Sequence, residues 1–442
     1  MSAADTGAGH VSAHTPYSAS MSIRAVRPTS GVTAATLREM NIRTVWSVIE
    51  GGHPISRAEI ARLTGISKPT VSVLLEELLA TGLVTQSPDS ARDPSHGAVF
   101  FGPKPDGVHA LALDLGAHRL RGVLTGPGAA IAARRDVDVH GLDAPRMVAA
   151  AAELAGELIK AAGVDATTVR HAVAGVPGVV DRHTGRVWQA LNIPALNGFA
   201  IASELEAALG FPITVENDID LAALGENTHG TGAAAESFAF LSVGTGVGAG
   251  LILHGHLHRG HSGAAGELDN AFDAAGFAAN DPCAAAIVEY ATPYAAELTA
   301  GTTTTTGTTG STTTTGTTGT TTTTGTAGSN TDAAPLTTEL IFDRARAGHP
   351  QATAIVEEVA RRISAYIGVL AAVADVELVI LGGGIGLNGD LLLERVALRL
   401  QERLPYPPRL EVSALGDSAV LTGAAAVAAS VAVEQVIRER TG

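Results

Sequence analysis

Between residues 36 and 50 the apolar side chains Leu37, Met40, Val45, Val48 and Ile49 fit one face of a helix, and Gly51-Gly52 ends the run. A shorter helix is predicted from Ser56, with Glu59 three residues on at capping-box spacing; it carries Ile60, Ala61 and Leu63 and stops at Gly65. A third opens at Ser67, takes Pro69 in its first turn, and turns Val71, Leu74, Leu75 and Leu78 to one face before Gly82. Leu83-Val84 and residues 98–101 then alternate around a turn-rich stretch, as two strands of a small wing would.

From Gly107 the period switches to alternating strands and helices. Strands are predicted at 108–113, 119–124, 169–175, 213–216, 238–243 and 378–381, and helices at 147–162, 201–209 and 353–374. This order predicts an α/β body. Residues 301–326 are almost wholly Thr and Gly, a composition with no core face to bury, so a disordered insertion is expected at about 300–334. Residues 419–433 form the most apolar stretch. Broken by Thr422, Gly423 and Ser430, they are too short to span a bilayer and read as a buried helix. The expected organisation is a flexible arm at 1–29, a head at 30–104 and a body at 105–442.

The chain has 442 residues, room for about three domains at roughly 150 residues each. With 45% hydrophobic and 17% charged residues it can bury a large core. A single cysteine excludes a disulfide framework, and the polar N-terminus lacks the order of a signal peptide, so a soluble cytoplasmic protein is expected. The net charge of −15 is uneven: the first hundred residues hold eight basic and eight acidic side chains, and the remainder carries the whole excess. An acidic body repels phosphates, which confines any polyanion contact to the head.

Three short helices with a tight turn after the second, followed by a wing, are the pattern of a winged helix-turn-helix DNA reader. The third helix would present Ser67, Lys68, Thr70 and Ser72 to the major groove, with Arg92 of the wing reaching phosphate or minor groove. The competing reading is a three-helix protein-interaction module, which the neutral charge of the head favours. In the body, glycine-rich turns follow three strands: Asp114-Leu115-Gly116, Gly244-Thr245-Gly246 and Gly382-Gly383-Gly384. Glycine lets backbone amides approach phosphate oxygens closely. Between them Asn217-Asp218 offers a carboxylate suited to taking a proton from a sugar hydroxyl, or to accepting its hydrogen bond. Glu267 and Asn192 are further polar candidates, although a turn or cap explains each of them singly.

The ordered set GVPGVVDRHTG (175–185), VENDIDLAALGE (215–226), SVGTGVGAGLIL (242–253), LHRGHSGAAGE (257–267), LVILGGG (378–384) and EVSALGDSAVLTGA (411–424), behind the winged head, resembles the ROK family of bacterial sugar-responsive repressors and sugar kinases. The resemblance implies a winged helix-turn-helix followed by a two-lobed α/β actin-like ATPase fold, with sugar and nucleotide meeting between the lobes. It implies that Asn192, Asn217, Asp218, Glu267 and Glu289 contact a sugar, and that Asp218 is the base if the protein is a kinase. Asp114, Gly116, Gly244, Thr245, Gly246 and Gly383 would line the phosphate-binding turns.

The chain departs from the family pattern at several positions. His118 and Arg119 replace a Thr and a Lys, Gly126 stands for an acidic residue, and Asp220 for an Asn. Asn270 stands where a zinc-binding His is usual, and only Cys283 remains of the cysteine run, so no zinc site is expected. ATP in the cleft stays open. His254, His256 and His258 alternate, with His261 nearby, but without a cysteine partner they read as a solvated hairpin. The resulting expectation is a dimeric repressor of carbohydrate genes that binds operator DNA and a sugar or sugar phosphate, with no membrane partner. An ATP-dependent sugar kinase is the alternative, and a folded chain that no longer senses is a third reading.

Overall fold

A computed structural model describes residues 34–51, 53–88, 99–272, 274–300 and 335–441. The arm at 1–29, Arg92 with the wing turn, and the Thr/Gly tract lie outside the described residues.

The head comprises α1 (Ala34–Ile49), β1 (Ile55–Ser56), α2 (Arg57–Thr64), α3 (Lys68–Ala80), β2 (Val84–Pro88) and β3 (Val99–Pro103). Ser56 caps α2 by accepting from the Glu59 amide, and Ser67 caps α3 by accepting from the Thr70 amide. Val71, Leu74, Leu75 and Leu78 are buried as their spacing predicted. The inner face of α1 differs from expectation: Ile42, Val45, Trp46 and Ile49 are buried, whereas Leu37 and Met40 are each 53% exposed. The spacing i, i+3, i+4, i+7 of the buried set defines a stripe that meets both the head and the body. The wing is three-stranded, because β3 pairs with β1 as well as with β2.

The first lobe contains β4 (His109–Leu115), β5 (Arg119–Thr125), β6 (Ile131–Asp138), α4 (Ala144–Ala162), β7 (Val169–Val176), a small hairpin of β8 (Val179–Val180) and β9 (Val187–Trp188), α5 (Ile201–Leu209) and β10 (Ile213–Asn217). Its sheet runs β10-β7-β4-β5-β6. The edge strand β6 was missed from sequence because it is largely exposed and carries no apolar alternation.

After α6 (Asp218–His229), the second lobe holds β11 (Phe238–Val243), β12 (Val247–Leu253), β13 (His256–Leu257), α7 (Ala274–Asn280), α8 (Ala284–Ala291), α9 (Ala295–Thr299), α10 (Thr338–Arg346), α11 (Pro350–Ala374), β14 (Leu378–Gly382), α12 (Gly383–Gly386), α13 (Gly389–Arg403) and β15 (Arg409–Val412). Its sheet runs β13-β12-β11-β14-β15, with a core formed against α10, α11 and α13.

The last helix, α14 (Ala419–Thr441), returns to the first lobe and packs on β4, β7 and α6. Its contact with α6 is close because both helices place glycine there. A Cβ on Gly225 would fall 2.4 Å from the Ala419 carbonyl, and one on Gly423 would fall 1.8 Å from that of Leu221. The apolar run at 419–433 is therefore core, as its composition suggested. Farther along, Ala428, Ala432, Val433, Val436 and Ile437 share one hydrophobic cluster with Ile42, Val45, Trp46 and Ile49 of α1. The head is thus joined to the body by a continuous apolar seam.

Candidate functional site

Strands β4, β7 and β10 are parallel, and Asp114, Gly175 and Glu216 lie in register across them. Ligand clefts in open α/β sheets form outside the carboxyl ends of such strands. The same holds for β11 and β14 in the second lobe, where Ser242 pairs with Gly382. The turns that follow are neighbours: a Cβ on Gly244 would lie 3.4 Å from the Gly384 nitrogen. Gly383 has φ of +74°, and a Cβ there would sit 2.5 Å from the Val243 carbonyl, so this turn requires glycine.

Between the two edges lies a cleft of about 600 Å³ lined by Asn192, Asn217, Asp218, Glu267, Gly244–Gly246 and Gly383. A larger groove among α4, α5 and α14 is lined mainly by small apolar residues and lacks this concentration of polar groups. Asn192 comes from the first lobe, and its Nδ2 lies 3.7 Å from where a Gly246 Cβ would be. The Asn217 amide is engaged in the fold. Its Oδ1 accepts from the Ile219 and Asp220 amides at 2.8 and 2.9 Å, and its Nδ2 donates to the Gly178 carbonyl at 3.0 Å. It caps α6 and so aims the next residue, Asp218, into the cleft.

Burial holds Asp218 well above the ordinary carboxylate range, at about 7, with the neighbouring Asp114 and Glu267 charges adding to the effect. Asp114 is raised to about 6 by burial, against the pull of Arg121. Asp220, buried on α6, is raised to about 8 by burial and by Glu216. Glu267 is raised by burial and by Asp269. An acidic pocket of this kind accepts hydrogen bonds from hydroxyl groups.

The family resemblance put Glu289 with these residues, but it is exposed on α8 and does not line the cleft. That helix starts at Ala284, so Cys283 faces the site and Glu289, more than a turn later, faces solvent. Asp269, Asp281 and Cys283 line the second-lobe wall instead. Tyr366 donates to Asp269 at 3.3 Å, the Cys283 thiol donates to Asp281 at 3.1 Å, and Arg362 donates to the Asp281 carbonyl at 2.6 Å. Arg361 reaches Asn280 Oδ1 and the Ala279 carbonyl. Helix α11 therefore pins this wall with hydrogen bonds.

Zinc does not fit here. Asn270 is exposed, Cys283 stands alone, and among the described residues no three His, Cys, Asp or Glu side chains converge as ligands. His254, His256, His258 and His261 are exposed, and His254 Nδ1 lies 3.1 Å from the Glu236 carboxylate.

A side corner of the cleft, about 520 Å³, is lined by Asp114, Gly116, His118, Arg119, Arg121, Thr245, Gly383 and Asp417. His118 and Arg119 are exposed, and His118 stacks on His140. Gly126 lies away from the cleft, in the turn between β5 and β6, where it borders a small cavity shared with Glu50 of the head.

The ROK family model matches residues 110–431. The chain belongs to the ROK family. A MarR family model matches residues 42–93, so this ROK protein carries a DNA-binding helix-turn-helix. It is 25% identical over 399 residues to the xylose repressor of Caldicellulosiruptor bescii, covering 89% of this chain and 96% of that one. A solved ROK family transcriptional regulator, a homologue of the Escherichia coli MLC protein, shares the fold at 22% identity, with a TM-score of 0.69 over 92% of this chain and 99% of the other. The ROK hexokinase of Thermus thermophilus aligns at 28% identity and a TM-score of 0.55, covering 74% of this chain and all of that one.

In the head of this ROK chain, Ser67, Lys68 and Thr70 are exposed at the start of α3 and Ser72 is half-buried. Three of these side chains are engaged locally: the Ser67 and Thr70 hydroxyls are 2.8 Å apart, and Ser72 donates to the Lys68 carbonyl. Sequence reasoning did not single out Arg121, Asp269, Asp281 or Asp417. Arg121 shares β5 with Arg119, two positions earlier.

Proposed function

We propose that this chain is a transcriptional repressor of carbohydrate genes that binds operator DNA as a homodimer and responds to a sugar or sugar phosphate in the interlobe cleft. The observation that carries this reading is α14. Its first residues, Ala419 and Val420, line the cleft corner beside Asp417, and its last turns share a core with α1 of the head. Ala419 to Ile437 spans about 27 Å at 1.5 Å per residue. A lobe movement that shifts the start of this helix is transmitted to the head without slack, because packed cores do not deform continuously. In a dimer, a small change in head spacing mismatches the paired half-sites and weakens binding. The nearly full-length similarity to a xylose repressor supports a sugar as the effector.

The test is fluorescence anisotropy on DNA upstream of the chain's own gene, at fixed salt, with a panel of pentoses, hexoses, amino sugars and their phosphates. Specific binding weakened by one sugar is the expected result. Specific binding that no member of the panel changes would count against the effector half of the reading.

The kinase reading draws on Asp218, whose carboxyl titrates near neutrality at the cleft floor, where a general base would be effective. ATP-dependent phosphorylation of a panel sugar, lost in Asp218→Asn, would establish it.

A further inference from the structure

Phosphoryl transfer from a nucleotide depends on divalent metal that bridges the phosphate oxygens and is held by carboxylates beside the phosphate-binding turns. In this cleft Asp114, Asp218 and Asp417 line the corner next to Thr245 and Gly383, but a side chain already stands among them. Arg121 Nη1 donates to the Asp417 carbonyl at 2.7 Å and lies 3.5 Å from Asp114 Oδ2. The Arg121 side chain is only 20% exposed and borders both the corner and the main cleft.

Strand register puts it there. Arg121 is directly opposite Asp114 on the β4–β5 ladder, so the two side chains leave the same face of the sheet together. The next residue, Gly122, faces the other way, with its missing Cβ 2.8 Å from Leu158 and 2.9 Å from Leu154 of α4. Arg121 cannot turn to that side without entering the first-lobe core.

A fixed guanidinium here competes for the acids that a divalent ion would use. A divalent ion drawn to the same acids would meet like charge at close range in a partly buried site, where repulsion is weakly screened. A nucleotide arriving without metal would set its phosphates against Asp114, Asp218 and Asp417.

We propose that Arg121 is a built-in cation that closes the phosphate corner to metal–nucleotide complexes, leaving the sugar end as the working part of the cleft. The proposal deepens the regulator reading and rests on it only for the ligand of the sugar end.

The full-length protein would be titrated with a fluorescent, non-hydrolysable ATP analogue in excess magnesium. Wild type and Arg121→Lys are expected to show no saturable binding. Arg121→Gln, neutral and of similar size, is expected to gain saturable, magnesium-dependent binding. Saturable, magnesium-dependent binding by wild type overturns the proposal and needs no variant to interpret. So does a folded Arg121→Gln, shown by a cooperative melt, that binds no better than wild type. The sugar response is scored separately on operator DNA. If it fails while nucleotide is excluded, the effector reading falls and the role of Arg121 stands.

Discussion

The two ends of α14 sit in opposite physical environments. Toward its C-terminus, small and branched apolar residues close against Ile42, Val45, Trp46 and Ile49 of the head, and the ion pairs of Arg43 with Glu39 and Glu434 lie at the edge. At its N-terminus, the helix starts beside a corner lined by Asp114, Asp218 and Asp417 together with Arg119 and Arg121. The seam gains stability from burying apolar surface. The cleft loses some, because carboxylates are held above their ordinary ionisation range by burial and by one another. The same helix is therefore anchored by apolar packing at one end and borders a charged, partly buried corner at the other.

Cutting the seam should have the largest effect. Ile49→Ala removes a fully buried side chain from it and should cost about 2–5 kcal/mol, read as a lower denaturant midpoint. It should also uncouple any effector from DNA binding. An unchanged midpoint would show that the seam is not a packed core.

At the cleft, Gly383→Ala sets a Cβ against the Val243 carbonyl at positive φ and should cost about 1–3 kcal/mol, with loss of ligand response. Asp218→Asn should act in the opposite direction. A carboxyl raised to about 7 holds its proton in the folded state while the unfolded chain has released it, so stability falls as pH rises from about 4 toward 7. The amide removes that loss and should stabilise by about 1–2 kcal/mol at pH 8, and hardly at all at pH 4. Melting curves at the two pH values check this, and equal shifts at both would show that Asp218 is not held neutral by its surroundings.

The smallest effect sharpens the comparison from the head. Ser67→Ala deletes the α3 cap and should cost about 1 kcal/mol, with a matching loss of affinity for operator DNA, measured by denaturation and anisotropy.

Much of the head was legible because its signals are local. The Ser56 and Ser67 caps act on amides three residues away, and the buried face of α3 follows helical spacing. The face of α1 was misread because its partner, α14, lies nearly four hundred residues along the chain. In the body, the glycine turns and Asp218 were legible as motifs, whereas helices α6 and α13 were not predicted. Helix α6 lies between the two lobes and buries several faces, which erases the one-sided apolar stripe by which a surface helix is recognised. Glu289 was placed in the site through a loop whose helix start, at Ala284, set its direction instead.

What the sequence determined by itself was therefore what acts within a turn or a strand: the caps, the apolar periods, and the glycines that only a tight turn explains. Tertiary structure alone decided which carboxylates share a cleft, and that Arg121 meets a carbonyl 296 residues away. It decided too that α11 holds the far wall. The physical reason is range. Helix and turn preferences arise between neighbours in the chain, while desolvation and charge coupling depend on distances in space, which exist only after the two lobes and α14 have packed.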